Sequence, residues 1–418
     1  MRPAVAALAL ALAPALAPPA SAQTVAIVGG TVYPVSGPPI QQGTVLFRDG
    51  RIVAVGRGVS VPSDAIRIDA TGRWVTPGLI QTGTTLGVHL LDVGGQVETR
   101  EDSLEGAVKP SFNVAEAVDP DAIAIPVARL QGITSNLAVP TSGLIPGQGV
   151  LYDLAGDRMD SLVVRSPAVM VIDFSETAKT SAGGSRAGIP KRLRALFRDA
   201  QEYERRRDDF RRAQIQPLAA PAEELEALRP VLRGELPVLG IANRRSDIQN
   251  ALRIAREFGL KLVLFEGAEA WQLAPELAHA GVAVVIEPLT DVPTFDSPAP
   301  RLDNATVLRA AGVEVAIAQR DQAFHRNLRF AAGNAVRNGL SWNDALRAVT
   351  LAPAEAAGVA DRYGSLERGK VANVVVWSGD PLDFVSRAEH VFIRGREVPA
   401  VSRQTELLGR YRKLPPAY

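Results

Sequence analysis

The chain has 418 residues, of which 46% are hydrophobic and 22% charged, and its formal net charge is +1. This composition is typical of a globular protein and not of a disordered one, and the balanced charge argues against nucleic acid as a partner. Because there is no cysteine, disulfides, lipoprotein anchoring, thiol nucleophiles and thiolate metal ligands are excluded. The length exceeds one ordinary core, so we expect one large domain and a smaller one.

The N-terminus has the pattern of a secretory signal peptide. Arg2 supplies a positive charge, residues 3–19 form an apolar stretch of alanine, leucine and proline, and residues 20–22, Ala-Ser-Ala, precede Gln23. Prolines within the stretch and its short length count against a membrane-spanning helix. We therefore expect cleavage near Ala22 and a mature protein that is periplasmic in a Gram-negative host, or secreted, with no membrane partner.

Both ends of the mature chain are predicted to be rich in β-strands. Two tight turns are expected there: Asp49-Gly50, whose residues tolerate positive φ and suit a hairpin, and Arg394-Gly395-Arg396 near the other end. The strand-like segments around them are residues 25–28, 43–47, 51–55, 371–377 and 391–398.

Between these ends, apolar strand-like runs alternate with helical stretches, which favours βα units and a parallel sheet. Helices are predicted at residues 247–258, with an apolar face, and at 270–280. The count is close to a (β/α)8 barrel with one strand unassigned, and function in such barrels lies on the loops after the strands. An open doubly wound sheet competes, but no Gly-x-Gly-x-x-Gly opens a helix after a strand. Strands are predicted at 78–80, 133–139, 168–172, 236–242, 261–265, 282–286 and 313–317.

Three further segments have local interpretations. Residues 190–232 carry dense charge of alternating sign, which favours a solvated helix surface with i,i+4 pairs over a partner-binding surface. The glycines of residues 181–186 either hold an anion on backbone N–H groups or form a flexible loop. Residues 341–344, Ser-Trp-Asn-Asp, are predicted to cap a helix.

Several segments, in the same order, resemble the imidazolonepropionase-like branch of the amidohydrolase superfamily. VTPGLIQTGTTLG at 75–87 is similar to the strand-one signature, in which Thr-Pro-Gly-Leu-Ile precedes an acidic residue, a small residue and His-x-His, the first two ligands of a catalytic metal. The other similar segments are QGITS at 131–135, GLIPGQG at 143–149, the block 237–281 and GSLERGKVANVVVW at 364–377.

The resemblance implies an architecture and an activity. It implies an α/β fold with a (β/α)8 TIM-type barrel at residues 77–364, a composite β-sandwich domain from 23–76 and 365–402, and a C-terminal tail at 403–418. It also implies hydrolysis of carbon–nitrogen bonds in cyclic or other non-peptide amides, or in dipeptides. One departure is Asn373, which replaces the aspartate of the family's closing Lys-Ala-Asp pattern.

The positions of the family's metal ligands hold other residues in this chain. Gly83 and Thr85 replace His-x-His, and Ile241 and Asn243 stand where similar sequences carry the strand-five histidine. Residues 266–269, Glu-Gly-Ala-Glu, contain no strand-six histidine. Glycine offers no ligand, and a threonine hydroxyl binds a divalent transition metal poorly. We therefore expect a degenerate centre with no metal and no other cofactor.

One catalytic candidate remains from the resemblance. Asp321 is the best match to the strand-eight aspartate that binds metal or takes a proton from the attacking water, although the register leaves Arg320 as an alternative. On strand four, relatives use a carboxylate or a lysine carbamate. Asp173 and Glu176 are the nearest carboxylates here, and Lys179 follows them.

Two alternatives would retain catalysis. One rebuilds a zinc site from Asp321, Glu176 and His325. Because metal ligands must be placed around the ion with sub-ångström precision, ordinary surface or packing roles are favoured for the histidines. The other is metal-free, but Arg320 or Arg326 beside Asp321 would lower the pKa of that carboxyl and favour an ion pair over a proton shuttle. The four histidines are His89, His279, His325 and His390.

Three functional hypotheses follow from the sequence. The first is an amidohydrolase-like hydrolase with an unusual or absent metal, and the second is a non-catalytic periplasmic binding protein with a small molecule in the barrel mouth. The third is a subunit that stabilises an active paralogue, so a homo-oligomer and a hetero-oligomer both stay open. The ligand-binding candidates are Asn243, Arg244, Arg320, Arg326, Glu176 and His325.

Overall fold

The computed structural model describes residues 23–88, 106–156, 158–211, 218–289, 292–320 and 325–412. Within these ranges the strands form two eight-stranded sheets. No helix in the described part of the chain has both the length and the apolar character needed to cross a membrane. The strands are β1 Thr24–Val32, β2 Ile40–Arg48, β3 Arg51–Gly56, β4 Ile66–Asp69, β5 Trp74–Pro77, β6 Leu79–Thr84, β7 Ile133–Ala138, β8 Gly147–Asp153, β9 Val163–Asp173, β10 Val238–Ala242, β11 Leu262–Glu266, β12 Ala283–Ile286, β13 Val315–Ile317, β14 Val374–Trp377, β15 Ala388–Ile393 and β16 Arg396–Glu397.

The first sheet combines strands from both ends of the chain. Its order is β16-β15-β14-β5-β1-β2-β3, with β4 also paired to β1. The connection between the two ends is the antiparallel pair β14 and β5, in which Val375 lies opposite Thr76. Apolar side chains from both ends pack together, and the rings of Phe47 and Phe392 lie 5.1 Å apart, edge to face. The start and end of the chain thus share one folded unit, while the predicted two-layer sandwich and its domain limits stay predictions.

The second sheet is a nearly closed barrel with strand order β6 to β13. All its strands run in one direction except β8, which is antiparallel to both β7 and β9. This corrects the expectation of eight parallel strands: β8 is the strand that the sequence left unassigned, because its glycines weaken the apolar run. Gln81 of β6 bridges the seam to the last strand, donating to the Gln319 carbonyl (3.0 Å) and accepting its N–H (3.1 Å). The fold is therefore mixed α/β with a TIM-type barrel.

Helices surround the barrel, and their apolar faces explain their positions. In α7 the predicted face is confirmed, since Ile248, Leu252, Ile254 and Ala255 are all buried. The predicted cap at Ser341 is also confirmed, because its side chain accepts the Asp344 N–H. The helices are α1 Ala124–Arg129, α2 Met159–Leu162, α3 Gly188–Arg205, α4 Arg207–Arg211, α5 Ala222–Ala227, α6 Arg229–Leu232, α7 Arg245–Phe258, α8 Ala274–His279, α9 Asn304–Ala310, α10 Leu328–Arg337, α11 Trp342–Ala348, α12 Leu351–Ala356 and α13 Arg403–Tyr411, with 3₁₀ turns at Val114–Ala117, Thr177–Ala182, Ala270–Leu273 and His325–Asn327.

The charged segment 190–232 forms helices whose ions pair with each other. Glu202 of α3 contacts Arg206 four residues later (3.6 Å), and Glu204 contacts Arg229 of α6 (3.1 Å). The opposite face of α3 is apolar and includes the buried Phe197. These contacts fit the favoured interpretation of a solvated helix surface, and the partner-binding alternative stays a prediction.

Candidate functional site at the barrel mouth

We define the barrel mouth as the residues at and just after the carboxyl ends of the barrel strands that share one direction. These ends lie at the same side of the barrel, where loops carry function in this fold. Each strand thus contributes side chains to one region. Polar residues there include Thr84, Thr85, Asp173, Asn243, Glu266, Glu287 and Arg320.

A phenylalanine ring fills the space beside the first expected ligand position. Gly83 has φ +70°, and a Cβ atom built on it would lie 2.0 Å from Cζ of Phe265, far inside van der Waals contact. Phe265 comes from β11, which is not a neighbour of β6 in the sheet, so its ring crosses the barrel interior. Ile241 belongs to the same buried apolar cluster. Two expected ligand positions therefore face hydrocarbon.

Above this ring lies a guanidinium group with a carboxylate partner. Cζ of Arg320 is 5.1 Å from the centroid of the Phe265 ring, within cation–π range. Arg320 forms an ion pair with Glu266, and its backbone N–H donates to Glu287. Asn243 donates its side-chain N–H to the other oxygen of Glu266. The mouth thus contains an Arg–Glu–Asn cluster built from the ends of three strands.

Glu266 adopts a backbone conformation that is unusual for its residue type. Its φ of +76° lies in the left-handed region, which costs a non-glycine residue on the order of 1–3 kcal/mol and persists only where neighbouring contacts compensate. The contacts of its carboxylate with Arg320 and Asn243 supply such compensation. The backbone conformation of Glu266 therefore depends on the contacts that neighbouring residues make with its side chain.

Asp173, at the end of β9, is a buried carboxyl group with several donors. It accepts the Ser175 N–H and the Thr177 hydroxyl, both at 2.7 Å. Burial raises the pKa of Asp173, while the hydrogen bonds from these two residues and the charge of Arg320 act in the opposite direction. Burial dominates, so this carboxyl holds a proton to higher pH than an exposed aspartate.

The end of β6 is fixed by a buried hydrogen-bond network. The Thr84 hydroxyl donates to the Asn136 carbonyl oxygen (2.7 Å), and the Asn136 amide donates to the Tyr152 hydroxyl (2.9 Å). Burial raises the pKa of Tyr152, so its hydroxyl stays neutral. Thr85 is buried beside this network. The threonines that follow Gly83 are thus part of the packed interior.

Arg244, a predicted ligand-binding residue, supports a loop instead of pointing at an open space. Its guanidinium donates to the backbone oxygens of Phe295 (2.9 Å) and Asp296 (3.2 Å), in the loop after β12. The Phe295 side chain is fully exposed. Arg244 therefore helps to hold this loop at the rim of the mouth.

Glu176, another candidate, is occupied in a similar way. It pairs with Lys179 and, at 2.7 Å, with Arg186, a residue of the predicted glycine-rich loop. Arg186 also pairs with Asp247, which is buried at the start of α7, and with Asp296. This arginine joins three mouth segments, so the segment 181–186 provides a charged support rather than only a flexible connection.

Some of the remaining predicted site residues lie outside the described part of the chain. Asp321 and His89 lie outside the described residues, as does the side chain of His325, so the catalytic role of Asp321 and the rebuilt zinc site stay predictions. Arg326 lies in the 3₁₀ turn that follows. His279 ends α8 and His390 lies in β15, where it contacts Glu397 at 2.7 Å.

The described donors do not fit the divalent metal that the fold family implies. The space for a side chain at position 83 is taken by Phe265, and the nearby carboxylate of Glu266 is already paired with the cation of Arg320. Among the residues that the structure describes, no group of three or more His, Asp or Glu side chains could hold a metal ion. No metal or other cofactor is established.

Phe265, Glu266 and Glu287 were not identified from the sequence as site residues. Glu266 and Glu287 each stand at or just after the end of a predicted strand, and that position was the available signal. Phe265 carried no such signal, because an apolar residue in a strand indicates only a core position.

Comparisons with known proteins agree with the fold. The Amidohydrolase family model matches residues 294–400. Amidohydrolase tasK of Hapsidospora irregularis is 26% identical over 411 residues, which cover 84% of this chain but only 39% of tasK. The imidazolonepropionase of Acidiphilium cryptum is 28% identical over 377 residues, covering 83% of this chain and 89% of that protein.

A solved structure is also similar to this chain. The amidohydrolase from Thermotoga maritima superposes with a TM-score of 0.82 and 29% sequence identity, over 91% of this chain and 100% of that one. These relatives, which are named as amidohydrolases or as an imidazolonepropionase, match this chain along most of its length. Together these findings support the amidohydrolase superfamily and, within it, its imidazolonepropionase-like branch.

Proposed function

We propose that this chain is an exported amidohydrolase-superfamily protein that binds a small molecule at its barrel mouth and has lost the metal-dependent hydrolysis of carbon–nitrogen bonds. One observation carries the proposal: the Phe265 ring fills the space beside Gly83, and Arg320 lies on that ring in an ion pair with Glu266. A permanent cation and a hydrocarbon surface thus occupy the region in which relatives are expected to bind metal.

A divalent cation is disfavoured beside Arg320. A catalytic zinc requires about three protein ligands and an open position. Two unit charges 4 Å apart at an effective dielectric constant near 20 interact by about 4 kcal/mol, and a divalent ion would be repelled by a guanidinium about twice as strongly. Because Glu266 is already paired with Arg320, its carboxylate could bind a metal ion only by giving up that ion pair, and the repulsion would then act in full.

The same cluster suits a polar organic ligand. Arg320 offers a planar set of donors that matches carboxylate and carbonyl oxygens, and Asn243 offers an amide beside it. A ligand oxygen that replaces Glu266 as the acceptor would satisfy both groups. Asp173, which burial keeps protonated to higher pH, adds a donor at the same end of the barrel.

A second candidate function keeps the family reaction. The observation that favours it is the similarity to an imidazolonepropionase over 83% of this chain and to an amidohydrolase structure over 91% of it. Such a hydrolase would act on small cyclic amides or dipeptides, with Asp321 as the catalytic carboxylate. A third role, as partner subunit of an active paralogue, rests on the sequence alone.

The experiment that separates these functions is a combined metal and activity measurement on protein purified from its native host. We expect substoichiometric zinc and manganese, and no hydrolysis of dipeptides or cyclic amides when either metal is added. Stoichiometric metal together with turnover would refute the proposal in favour of the hydrolase. Copurification of a homologue with an intact His-x-His would support the subunit role.

Ligand binding is tested on the same protein. Small molecules released by denaturation are identified by mass spectrometry and returned to the protein in a thermal-shift assay. We expect Arg320→Gln to abolish the shift, while Arg67→Gln, an exposed arginine of β4 outside the mouth, leaves it unchanged. Equal loss in both variants would argue against binding at the mouth.

Export and the composite sandwich belong to the same proposal. Export is supported by the sequence of residues 1–22, and N-terminal sequencing of the periplasmic protein should begin at Gln23. The sandwich is supported by the single apolar cluster that unites Ile27, Phe47 and Val374 from the two ends of the chain.

A further inference from the structure

Two hairpin turns meet at the end of the barrel opposite the mouth. Asp49 and Gly50 join β2 to β3 with φ of +52° and +74°, and Arg394 and Gly395 join β15 to β16 with φ of +49° and +73°. Positive φ at both central residues defines a type I′ hairpin turn. Both turns predicted from the sequence are therefore confirmed, and they share one geometry.

The two turns pack backbone against backbone. A Cβ atom at Gly50 would lie 2.9 Å from the Arg394 carbonyl oxygen, and one at Gly395 would lie 2.9 Å from Cα of Gly50. Only glycine permits this approach. Because Arg51 and Arg396 each follow a glycine directly, the packing brings these two arginines to the same rim.

This rim borders a cleft between the first sheet and the barrel. The cleft has a volume of about 880 Å³ and is also lined by Val163, Arg362 and Tyr363. Val163 begins β9, an 11-residue strand whose other end is Asp173 at the mouth. At about 3.3 Å per residue, roughly 30 Å separate the cleft from the mouth. The cleft is therefore separate from the mouth.

One wall of the cleft is rigid. Arg394 pairs with Asp153, which is fully buried, and donates to the Leu162 carbonyl oxygen (3.0 Å). Asp153 also accepts from the Tyr363 hydroxyl and the Asn373 amide, both at 3.0 Å. This network fixes the Arg394 guanidinium and the ring beside it in position.

Positive charge exceeds negative charge along the cleft. Four arginines line it, and the carboxylates near them are Asp49 on the rim, Asp153 behind Arg394, and Asp361 at 3.7 Å from Arg362. Within the described ranges, neither Arg51 nor Arg396 pairs with a carboxylate. Arg51 is oriented by a hydrogen bond to the Gly369 carbonyl oxygen (2.9 Å). Both guanidinium groups thus lack a carboxylate partner within the described ranges, and the backbone orients that of Arg51.

From this geometry we infer that the cleft is a second binding site, for a small anion that carries at least two negative charges. Guanidinium groups bind phosphate and carboxylate oxygens through paired hydrogen bonds. The volume lies within the range of small-molecule sites, about 300–1,000 Å³. Fixed Arg394 and oriented Arg51 provide a prepared surface, and Arg362 and Arg396 add further donors along the same cleft.

The test is calorimetric titration of the mature protein with inorganic pyrophosphate and, separately, with citrate, at low salt and near 0.15 M ionic strength. Pyrophosphate and citrate distinguish phosphate from carboxylate ligands. We expect saturable binding of at least one probe. The double variant Arg51→Gln/Arg396→Gln should weaken binding by about tenfold or more, because it removes two charge-assisted contacts. Both side chains are exposed, so folding is retained and is checked by thermal unfolding.

Two control variants locate the effect. Arg67→Gln removes one positive charge from β4 of the same sheet, and Arg320→Gln alters only the mouth, so binding should stay within about twofold of the unmodified protein in both. If neither probe binds, or if Arg67→Gln weakens binding as much as the double variant, the inference is wrong. Since the mouth variant is measured in parallel, failure at the cleft leaves the proposed function untouched.

Discussion

A single methyl group at position 83 tests whether Phe265 occupies the expected ligand space. Gly83→Ala places Cβ 2.0 Å from Cζ of the Phe265 ring, a distance that forces the ring or the backbone to move. The chain offers a matched control in Gly58, which has the same φ of +70° but no heavy atom within 4 Å of a Cβ. The two variants therefore share the backbone strain and differ in the clash.

The expected magnitudes follow from these two contributions. Left-handed φ costs an alanine about 1–2 kcal/mol relative to glycine, so Gly58→Ala should lower the free energy of unfolding by that amount. Overpacking a filled interior adds about 1–3 kcal/mol, which gives about 2–5 kcal/mol for Gly83→Ala. The difference between the variants, about 1–3 kcal/mol, measures the clash with the ring.

Urea denaturation followed by circular dichroism provides the measurement, with the midpoint and slope compared for each variant. Phe265→Ala supplies the confirmation: alone it should cost about 3–5 kcal/mol, but combined with Gly83→Ala it should remove the clash, so the two costs are less than additive. Equal destabilisation by Gly83→Ala and Gly58→Ala would refute the reasoning, as would strict additivity with Phe265→Ala.

Three other predictions concern buried charge. Asn373→Asp places a second carboxylate beside Asp153 and should lower the free energy of unfolding by about 3–5 kcal/mol at neutral pH. In urea denaturation this loss should become smaller at acidic pH, because the new carboxylate is then protonated. A loss that does not change with pH would contradict this prediction. Arg186→Gln leaves the buried aspartate of α7 without a counter-charge and should lower the free energy of unfolding by about 3–5 kcal/mol. The control Arg198→Gln removes an exposed ion pair and should lower it by less than about 1 kcal/mol. Similar losses in the two variants would contradict the role of the Arg186 network. Asp173 has a raised pKa, so its stabilising contribution is present at low pH and is lost as the pH rises through that pKa. The Asp173→Asn variant should therefore gain stability relative to the unmodified protein as the pH rises above about 4, the ordinary pKa of an aspartate, and a constant difference would oppose the assignment.

Much of the fold could be predicted because its signal is local. The seven predicted barrel segments all overlap observed strands, since each is an apolar run ended by glycine or polar residues. β8 was missed for the same local reason: GQGVLYD begins with two glycines in three residues and reads as a turn. Its reversed direction depends on long-range pairing with β7 and β9, which no local pattern records.

The site was predictable only in part. Asn243 and Arg320 were identified because the resemblance places them at or beside ligand positions of the family, and the structure brings both to the mouth, on either side of Glu266. The Phe265 ring could not be identified, because its contact with Gly83 joins strands that are not neighbours. Sequence reasoning also gave no reason for Asn373, whereas the structure supplies one: its amide donates to buried Asp153, where the family's aspartate would meet a like charge.

Charge balance would keep such a barrel stable if, as proposed, it binds no metal. A carboxylate in a partly enclosed mouth needs a counter-charge, and in metal-binding relatives the cation is expected to supply it. Here Arg320 supplies it to Glu266 at the mouth, as Arg394 does for Asp153 at the other end. An arginine guanidinium does not lose its proton in proteins, so this compensation requires no metal and persists wherever the carboxylate is ionised. Once Arg320 is in place, removing the histidine ligands leaves no unpaired charge at Glu266, and a returning metal ion would have to displace a cation already bonded to the chain.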